Sequence, residues 1–524
     1  MNGFLALVLH AHLPFVRHPE HDRSLEEIWL FEAITETYVP LLQLIEAWGQ
    51  AGLAAPLTLT LSPTLCAMLR DPLLQGRYLR HLDNLIDLAA SEIHRTACEP
   101  PLHQLARFYL DRFRTTRDFF LHQGRDLVAA FRAHQDQGRL EIITTAATHA
   151  FLPLLMGHPQ SIRAQILIAR DDYRDCFGRN PRGIWLPECA YDPSLEGVLR
   201  EAGLRWFATD SHGILNATPR PRYTLYAPIL TPNGLAVFGR DPLSAKQVWS
   251  RHEGYPGDPY YREFYRDLGF DLDLDYVQPY LPCVGVRTFT GIKYHRVTGH
   301  TSSKEVYSRR AALESAERHA AHFLQSRLGQ LHRLGTLLDR PPLVFCPYDA
   351  ELFGHWWYEG PEFLDFFVRQ ACRHPNALTL TTPEEFLRRH STHQVATPAA
   401  SSWGEDGFWR SWLNETNQWV YPHLHAAQQR MTELARGFPQ PEALQERALQ
   451  QAARELLLAQ ASDWLFILHT GTSPDYATRR IKDHVLNFTT LYEQLTSGAL
   501  DEPSLARLEA RNHLFPNLGW QYWR

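Results

Sequence analysis

Two acidic residues, Glu188 and Asp349, each follow a short apolar run that is typical of a β-strand. Glu188 lies in WLPECAY (Trp185–Tyr191), after a proline and between aromatic residues, and Asp349 lies in PYDAELFGHWW (Pro347–Trp357). Paired carboxyl groups have a defined use in sugar chemistry, where one attacks the anomeric carbon and the other protonates the leaving oxygen. The pair therefore indicates glycosyl transfer, although either residue could also be a surface acid or an ion-pair partner.

Four histidines also follow strand-like runs, namely His10, His12, His149 and His212. Such side chains hydrogen-bond to sugar hydroxyls or bind metals, although a single histidine is more often structural. His10-x-His12 resembles a metal pair, but the sequence has no H-E-x-x-H motif and no cluster of cysteine and histidine. We predict neither metal nor cofactor. The sequence also lacks a Walker loop, a dinucleotide fingerprint and G-x-S-x-G, which argues against nucleotides and serine hydrolysis.

A third region, SSWGEDGFWRSWLNETNQWVYPHLH (Ser401–His425), contains four tryptophans. Tryptophans in a loop are costly to expose, so these rings either pack or bind a ligand. We select Trp403 and Trp412 as the rings that stack on sugar. If they do, Trp403→Ala and Trp412→Ala lower transfer more than hydrolysis.

The elements that position these residues alternate between apolar strands and helical patterns, which predicts an α/β fold with parallel strands. Because polar residues follow the strands, we expect a barrel with its active face at the carboxyl ends. The strand count is nearer seven than eight. The predicted strands are Phe4–Leu9, Leu57–Leu61, Leu140–Thr145, Gly183–Leu186, Trp206–Ala208, Leu235–Phe238, Leu343–Cys346 and Ala377–Thr382.

The predicted domains are a catalytic barrel at 1–395 and a helical C-terminal domain at 396–524, which contributes tryptophans to the cleft. The barrel has a helical excursion at about 71–137 and a loop-rich part at about 213–280.

Composition limits the function classes. The 524 residues are 44% hydrophobic with a net charge of −6, which gives no general basis for binding nucleic acid or an anionic membrane. Seven scattered cysteines without a C-x-x-C pair favour a reducing compartment. The apolar N-terminus has no basic region and is interpreted as a buried strand, and no apolar run is long enough to span a bilayer. We expect a cytoplasmic monomer or weak oligomer.

Seven stretches, in order along nearly the whole chain, resemble glycoside hydrolase family 57 and, within it, the 1,4-α-glucan branching enzymes. These are HAHLPF (His10–Phe15), WLFEAITETYVPLL (Trp29–Leu42), EIITTAATHAFLPLL (Glu141–Leu155), WLPECAY, FTGIKYHRVTG (Phe289–Gly299), PYDAELFGHWW and SSWGEDGFWRSWLNETNQWVYPHLH. The resemblance implies a (β/α)7 barrel with helical insertions, followed by a C-terminal all-α domain, and a retaining mechanism without metal or cofactor. It makes Glu188 the nucleophile and Asp349 the general acid/base.

The same resemblance gives a predicted set of substrate-binding residues. It also implies a further tryptophan on the loop where His295 stands here, and a mobile loop tyrosine, for which Tyr223 and Tyr226 are candidates. The predicted substrate-binding residues are His10, His12, His149, Trp29, Asp210, His212, Arg240, Tyr294, His355, Trp357, Trp403 and Trp412.

The leading functional hypothesis is a transglycosidase that cleaves α-1,4-glucan, such as amylose or a glycogen-like polymer, and transfers the chain to a 6-hydroxyl. This is branch formation in glycogen- or starch-type synthesis. An α-glucan hydrolase (α-amylase) or a 4-α-glucanotransferase shares the first half-reaction. A metal-dependent polysaccharide deacetylase would instead use His10, His12 and either Asp210 or His212 as ligands. A non-catalytic glucan-binding protein is disfavoured because both carboxylates are present.

Overall fold

The computed structural model describes residues 3–250 and 253–524. The strands are β1 (Gly3–Ala11), β2 (Leu57–Leu61), β3 (Leu140–Ile143), β4 (Gly183–Ile184), β5 (Trp206–Thr209), β6 (Ile229–Leu230), β7 (Ala236–Gly239), β8 (Leu343–Asp349) and β9 (Leu378–Leu380).

The helices up to residue 389 surround the strands. They are α1 (Glu27–Ala33), α2 (Val39–Gln50), α3 (Pro63–Leu69), α4 (Pro72–Arg95), α5 (Pro100–His122), α6 (Leu127–Asp136), α7 (Pro159–Phe177), α8 (Glu196–Glu201), α9 (Ser211–Leu215), α10 (Pro242–Trp249), α11 (Leu268–Asp271), α12 (Leu274–Val277), α13 (Arg309–Leu337), α14 (Gly360–Ala371) and α15 (Pro383–Arg389). A π-helical turn, Ile34–Tyr38, joins α1 to α2.

Parallel pairing places β8, β1, β2 and β3 side by side in one sheet, and β4, β5 and β7 in another. A parallel bridge between Thr144 and Ile184 joins β3 to β4. On the other side, the N–H of Asp241, just after β7, donates to the carbonyl of Phe345 in β8 at 3.0 Å. These links join both edges of seven parallel strands in the described ranges. The predicted α/β barrel is confirmed.

Two strands lie outside this ring. β9 runs parallel to the first residues of β1, and β6 runs antiparallel to β7. The predicted strand at Ala377–Thr382 is therefore real but does not belong to the ring. The strands of the ring are buried along most of their length, which explains why they appear in the sequence as continuous apolar runs.

The predicted helical excursion contains α4, α5 and α6, which pack beside the barrel. The stretch at about 213–280 contains short helices and also the barrel strand β7, and its residues 251 and 252 lie outside the described ranges. The prediction that no apolar run is long enough to span a bilayer is corrected by the segment Glu27–Gln50, which is long and apolar enough to cross a membrane. However, 78% of its apolar window is buried inside the protein. It is the kind of helix that a large soluble core also uses.

After α15 the chain crosses the top of the barrel before the C-terminal helices begin. Ser401 pairs with Tyr191 in an antiparallel bridge, which fixes this crossing segment beside the Glu188 turn. The C-terminal helices are α16 (Val420–Gly437), α17 (Ala443–Ala459), α18 (Ser462–Thr470), α19 (Pro474–Ser497) and α20 (Glu502–Arg511).

Candidate active site

A cavity of about 440 Å³ lies at the carboxyl ends of the barrel strands, below the crossing segment and α18. In the β1–β8 register, His10 is directly opposite Asp349, so parallel pairing brings these two strand ends together. We call this space the catalytic cavity. It is lined by His10, His12, Leu13, His149, Glu188, Arg240, Trp249, Asp349, Glu351, Trp356, Trp403, Gly404, Glu405, Ser411, Trp412 and Phe466.

Eight of the predicted site residues line this cavity, and both carboxylates are among them. The eight are Glu188, Asp349, His10, His12, His149, Arg240, Trp403 and Trp412. They come from segments spread between residues 10 and 412, and the strand ends alone bring most of them together.

Glu188 is held in a strained turn. After β4 the chain makes a short 3₁₀ turn, Pro187–Cys189, in which Glu188 and Cys189 have φ values of 60° and 49°. Left-handed backbone at a residue other than glycine costs about 1–3 kcal/mol and persists only where the surroundings impose it. Here the Glu188 carbonyl accepts from the backbone N–H of Trp403 at 3.1 Å. The turn thereby directs the carboxylate into the cavity.

Two donors hold the Glu188 carboxylate. The indole N–H of Trp403 donates to Oε2 at 2.8 Å, and the hydroxyl of Ser462 donates to Oε1 at 2.9 Å. Burial raises the pKa of Glu188 to about 7, while the bonds from Trp403 and Ser462 act in the opposite sense. Donors to a carboxylate favour its ionised form. These two donors therefore stabilise the Glu188 anion that a nucleophilic attack needs, against the effect of burial.

The surroundings of Asp349 favour its protonated form. Burial and the negative charges of Glu351 and Glu188 raise the pKa of Asp349 well above its usual value, and only the Arg240 guanidinium opposes them. Because the negative charge of Glu188 raises the pKa of Asp349, the protonation of Asp349 depends on the ionisation of Glu188. The proton resides on Asp349, which suits it to donate to a leaving oxygen. A separation of about 5–5.5 Å between these carboxyl groups remains our prediction for a retaining mechanism.

Three of the predicted histidines, His10, His12 and His149, form one stacked cluster above the indole of Trp185. The His10 ring lies on Trp185 with centroids 4.6 Å apart and planes 6° apart, and the His12 ring lies on His149 at 3.8 Å. Burial lowers the pKa values of His10 and His149, so both rings are neutral at physiological pH. Neutral rings avoid placing positive charge against the anomeric centre and keep nitrogen atoms available for sugar hydroxyls.

A directed hydrogen-bond chain connects this cluster to Glu188. Because the Ser462 hydroxyl donates to Glu188, its oxygen accepts from Nδ1 of His149 at 2.9 Å. Nε2 of His149 then accepts from Nε2 of His10 at 3.0 Å. This assignment leaves Nδ1 of His10 as an acceptor, and that buried atom has no partner within the described protein. The network thus fixes the tautomer of each ring.

Ser462 and Asp463, at the start of α18, are functional residues that sequence reasoning missed. Asp463 contacts Nε2 of His12 at 3.1 Å, while Nδ1 of His12 contacts Ser62 at 2.9 Å. The backbone N–H of Ser462 also donates to the carbonyl of His149 at 3.0 Å. The helical C-terminal region therefore supplies positioning groups to the barrel site.

Replacing Ser462 with alanine is expected to move the pH profile. A donor to a carboxylate lowers its pKa, so removing the Ser462 hydroxyl raises the pKa of Glu188. The acidic limb of kcat/KM then shifts to higher pH, which we expect to measure with a soluble maltooligosaccharide. Ser462→Thr keeps a hydroxyl and restores the limb. A uniform loss of rate at every pH, with the limb unmoved, would contradict this role.

His12, His149 and Asp463 could in principle bind a metal, because their ligand atoms lie within 4.8 Å of one another. In this arrangement, however, both nitrogens of His149 and Nε2 of His12 already have protein partners. Among the described residues, the ligand set of the deacetylase alternative is not grouped around one point, because neither Asp210 nor His212 lines the catalytic cavity where His10 and His12 lie.

Asp210 and His212 instead support the crossing segment. Asp210 caps α9 through the N–H of Ser211 and forms an ion pair with Arg240 at 3.3 Å. Nε2 of His212 donates to the carbonyl of Gly407 at 2.7 Å. These contacts give both residues a positioning role, and their role as substrate contacts stays a prediction.

Four further predicted contacts also lie outside the cavity lining. Tyr294 is buried and donates to Glu92, and Trp357 is buried in the aromatic core. His355 contacts Glu36 at 3.0 Å, and Trp29 packs edge-on against Tyr476. In HWW, the exposed indole belongs to Trp356 and not to Trp357, because consecutive side chains in this turn point to different sides.

The prediction that Tyr223 or Tyr226 lies on a mobile loop near the active site is wrong. The carbonyl of Tyr226 accepts from the N–H of Leu343, which is the first residue of β8 and so lies at the end of the barrel opposite the catalytic cavity. Tyr223 donates to Asp339 nearby. His295, on the KYHR loop, forms a bridge with Val306 and does not line the catalytic cavity.

Trp403 and Trp412 differ in how they meet the cavity. Trp403 packs over Trp185 at 5.2 Å and bonds to Glu188, so it forms part of the wall around the nucleophile. Trp412 is only 1% exposed and stacks on Phe151 at 4.6 Å. A Cβ on Gly404 would lie 2.3 Å from the Trp412 ring, so this glycine is required for the packing. Trp412 thus forms a wall and has little free face for stacking.

Comparisons with known proteins agree with this geometry. Residues 6–398 match the model of glycosyl hydrolase family 57, and residues 423–523 match the C-terminal domain of 1,4-alpha-glucan branching enzymes. A 1,4-alpha-glucan branching enzyme from Thermococcus kodakarensis is 32% identical, covering 98% of this chain and 78% of that protein.

Two solved structures are similar over the full length of the chain. An alpha-amylase from Thermotoga maritima is 43% identical with a TM-score of 0.94, covering 100% of this chain and 99% of its own. A branching enzyme from Pyrococcus horikoshii is 33% identical with a TM-score of 0.89, covering 100% of this chain and 97% of its own. The family match covers most of the chain and includes both carboxylates, and the chain therefore belongs to glycosyl hydrolase family 57.

Proposed function

We propose that this protein is a 1,4-α-glucan branching enzyme acting by retaining double displacement. Glu188 attacks the anomeric carbon of an α-1,4 bond, and Asp349 gives its proton to the departing glucan oxygen. Asp349 then takes the proton from the 6-hydroxyl of an acceptor glucan as that oxygen displaces Glu188. Both bonds made and broken at the anomeric carbon are C–O bonds, so no oxidant or reductant is needed.

One observation carries this proposal. The segment that matches the C-terminal domain of branching enzymes includes Ser462 and Asp463, which contact Glu188 and His12. The branching-enzyme part of the sequence is therefore a wall of the catalytic cavity and not a separate appendage. It reaches the nucleophile directly, so it influences what meets the glycosyl-enzyme.

A second candidate is α-glucan hydrolysis, which the similarity to the alpha-amylase from Thermotoga maritima favours. Both activities share the first half-reaction. They differ in whether water or a glucan hydroxyl meets the intermediate on Glu188. Treating the products made from amylose with an enzyme that cuts only α-1,6 bonds separates them, because branched products then release short linear chains and hydrolysis products do not.

Trp403 is expected to control this choice. Its ring shields Glu188, so Trp403→Ala opens the intermediate to water and raises the number of reducing ends per new α-1,6 linkage. Overall cleavage also falls, because the donor to Oε2 is lost. Trp403→Phe keeps a smaller aromatic ring and loses the N–H, so its product ratio stays nearer to that of the wild type than the ratio of Trp403→Ala does. If the number of reducing ends per new α-1,6 linkage falls in both variants, or stays at the wild-type value in both, the shielding role is contradicted.

We further propose that the enzyme acts in a reducing compartment as part of glycogen-type glucan synthesis. All seven cysteines are free thiols, and several are buried in the barrel, which supports a reducing environment.

A further inference from the structure

A second cavity of about 360 Å³ adjoins the catalytic cavity. Trp249 and Trp356 line both spaces, so the two cavities meet at these rings. We call the second space the Trp356 cavity. Its lining is Trp249, Pro256, Gly257, Arg262, Glu263, Phe264, Tyr265, Val297, Gly299, His300, Lys304, Leu352 and Trp356.

Trp356 is an exposed indole on a rigid support. The side chain is 57% exposed, yet its ring stacks on Phe264 with centroids 4.9 Å apart and planes 21° apart. The ammonium of the buried Lys293 lies 4.3 Å from the Phe264 centroid and donates to the Phe264 carbonyl. Phe264, held by Lys293, therefore supports one face of the Trp356 ring. A flat aromatic face of this kind is suited to the C–H face of a sugar.

Among the described residues, the arginine, lysine and glutamate that line the Trp356 cavity each have an ion-pair partner. Arg262 bonds to Glu36 at 2.7 Å, and Lys304 forms an ion pair with Glu263 at 3.1 Å. No net charge is therefore left among these pairs to attract an anion or a cation. Apolar rings with a polar rim match a neutral polymer that carries hydroxyl groups.

The Trp356 cavity lies on the acid/base side of the site. Trp356 follows Asp349 by one short turn, in which the Trp356 N–H donates to the carbonyl of Glu351 at 3.1 Å. Trp403, by contrast, contacts the nucleophile Glu188. Because Asp349 protonates the bridging oxygen, it stands beside the sugar that leaves, and the same place later receives the acceptor.

We propose that the Trp356 cavity binds the α-glucan segment on the leaving-group side, which first holds the departing chain and then the acceptor chain, with Trp356 stacking on a sugar ring remote from the cleaved bond. This inference rests on the proposed function for the acceptor step. Its contribution is to favour long glucans over short ones, because a longer chain extends further from Asp349 into the Trp356 cavity.

The test uses an α-maltotriosyl fluoride donor, whose leaving group is too small to enter the Trp356 cavity. In Trp356→Ala, the concentration of long acceptor glucan needed for half-maximal transfer is expected to rise about tenfold. Fluoride release without acceptor and transfer to glucose are expected to change much less, because neither needs a glucan chain in the Trp356 cavity. Phe270→Ala is a matched control, because Phe270 is 47% exposed and does not line the cavity.

Unchanged half-saturation by long acceptors would overturn the proposal. A parallel loss of fluoride release would also overturn it, because the cavity would then serve the glycosyl side. A wild-type enzyme that releases fluoride but transfers to no acceptor would refute the proposed function instead. In that case, Trp356→Ala must still raise the amylose KM for hydrolysis while leaving maltotriosyl fluoride hydrolysis intact, or the Trp356 assignment also fails.

Discussion

Glu188→Gln lowers the rate of α-glucan cleavage on the order of 10³-fold or more, because the amide keeps the shape of the side chain but cannot form the glycosyl ester. The neighbouring donors lose a charged acceptor, but the shape of the side chain is kept. We therefore expect the melting temperature to change far less than the rate. The measurement is the initial rate of amylose cleavage by the purified variant, alongside its thermal unfolding curve.

Chemical rescue gives this prediction a stereochemical readout. In Glu188→Ala, added azide is expected to displace the leaving group of an α-glycosyl fluoride in one step and yield the β-glycosyl azide. A single displacement inverts the configuration, whereas two displacements retain it. Wild-type activity in the glutamine variant, or an α-azide from the alanine variant, would show that Glu188 is not the nucleophile.

Asp349→Asn is the second large effect, and it depends on the leaving group. Amylose cleavage falls steeply, on the order of 10²–10⁴-fold, because the departing oxygen is no longer protonated. Cleavage of the C–F bond in α-maltotriosyl fluoride needs no such proton, so the first turnover is largely kept and appears as a burst of fluoride. Later turnovers are slow, because Asp349 is also the base that activates the acceptor. The burst on the fluoride and the initial rate on amylose measure the contrast.

The pH profile of this variant gives a further check. The basic limb of wild-type kcat/KM for amylose reports the loss of the proton held mainly by Asp349, so it should disappear in the asparagine variant. Equal losses on amylose and on the fluoride would indicate that Asp349 has a structural role and not one in proton transfer.

The strand ends were predictable because their signals are local. An apolar run followed by a polar residue marks the end of a buried parallel strand. This pattern places both carboxylates and three histidines at one rim, namely Glu188, Asp349, His10, His12 and His149. The ring of seven strands follows from the same runs. The strand at Leu378–Leu380 has an identical signature but pairs outside the ring, which a local pattern cannot express.

The other site residues depend on tertiary contacts. Ser462 meets Glu188 across 274 residues, and nothing in the start of an ordinary helix marks it as a partner of the nucleophile. Trp356 and Trp357 are adjacent and identical in type, and only the turn after β8 exposes one and buries the other. Trp412 lines the cavity as expected, but its packing on Phe151 could not be predicted from the sequence.

Proton NMR of amylose incubated with the enzyme tests the central claim most directly, because it counts new α-1,6 linkages and new reducing ends in one sample. Transfer preserves the number of reducing ends, so the account predicts that α-1,6 linkages accumulate well in excess of new reducing ends, and that neither appears with Glu188→Gln. If each cleaved bond instead appears as a reducing end and no α-1,6 signal grows, the enzyme is a hydrolase and the claim of branching is contradicted.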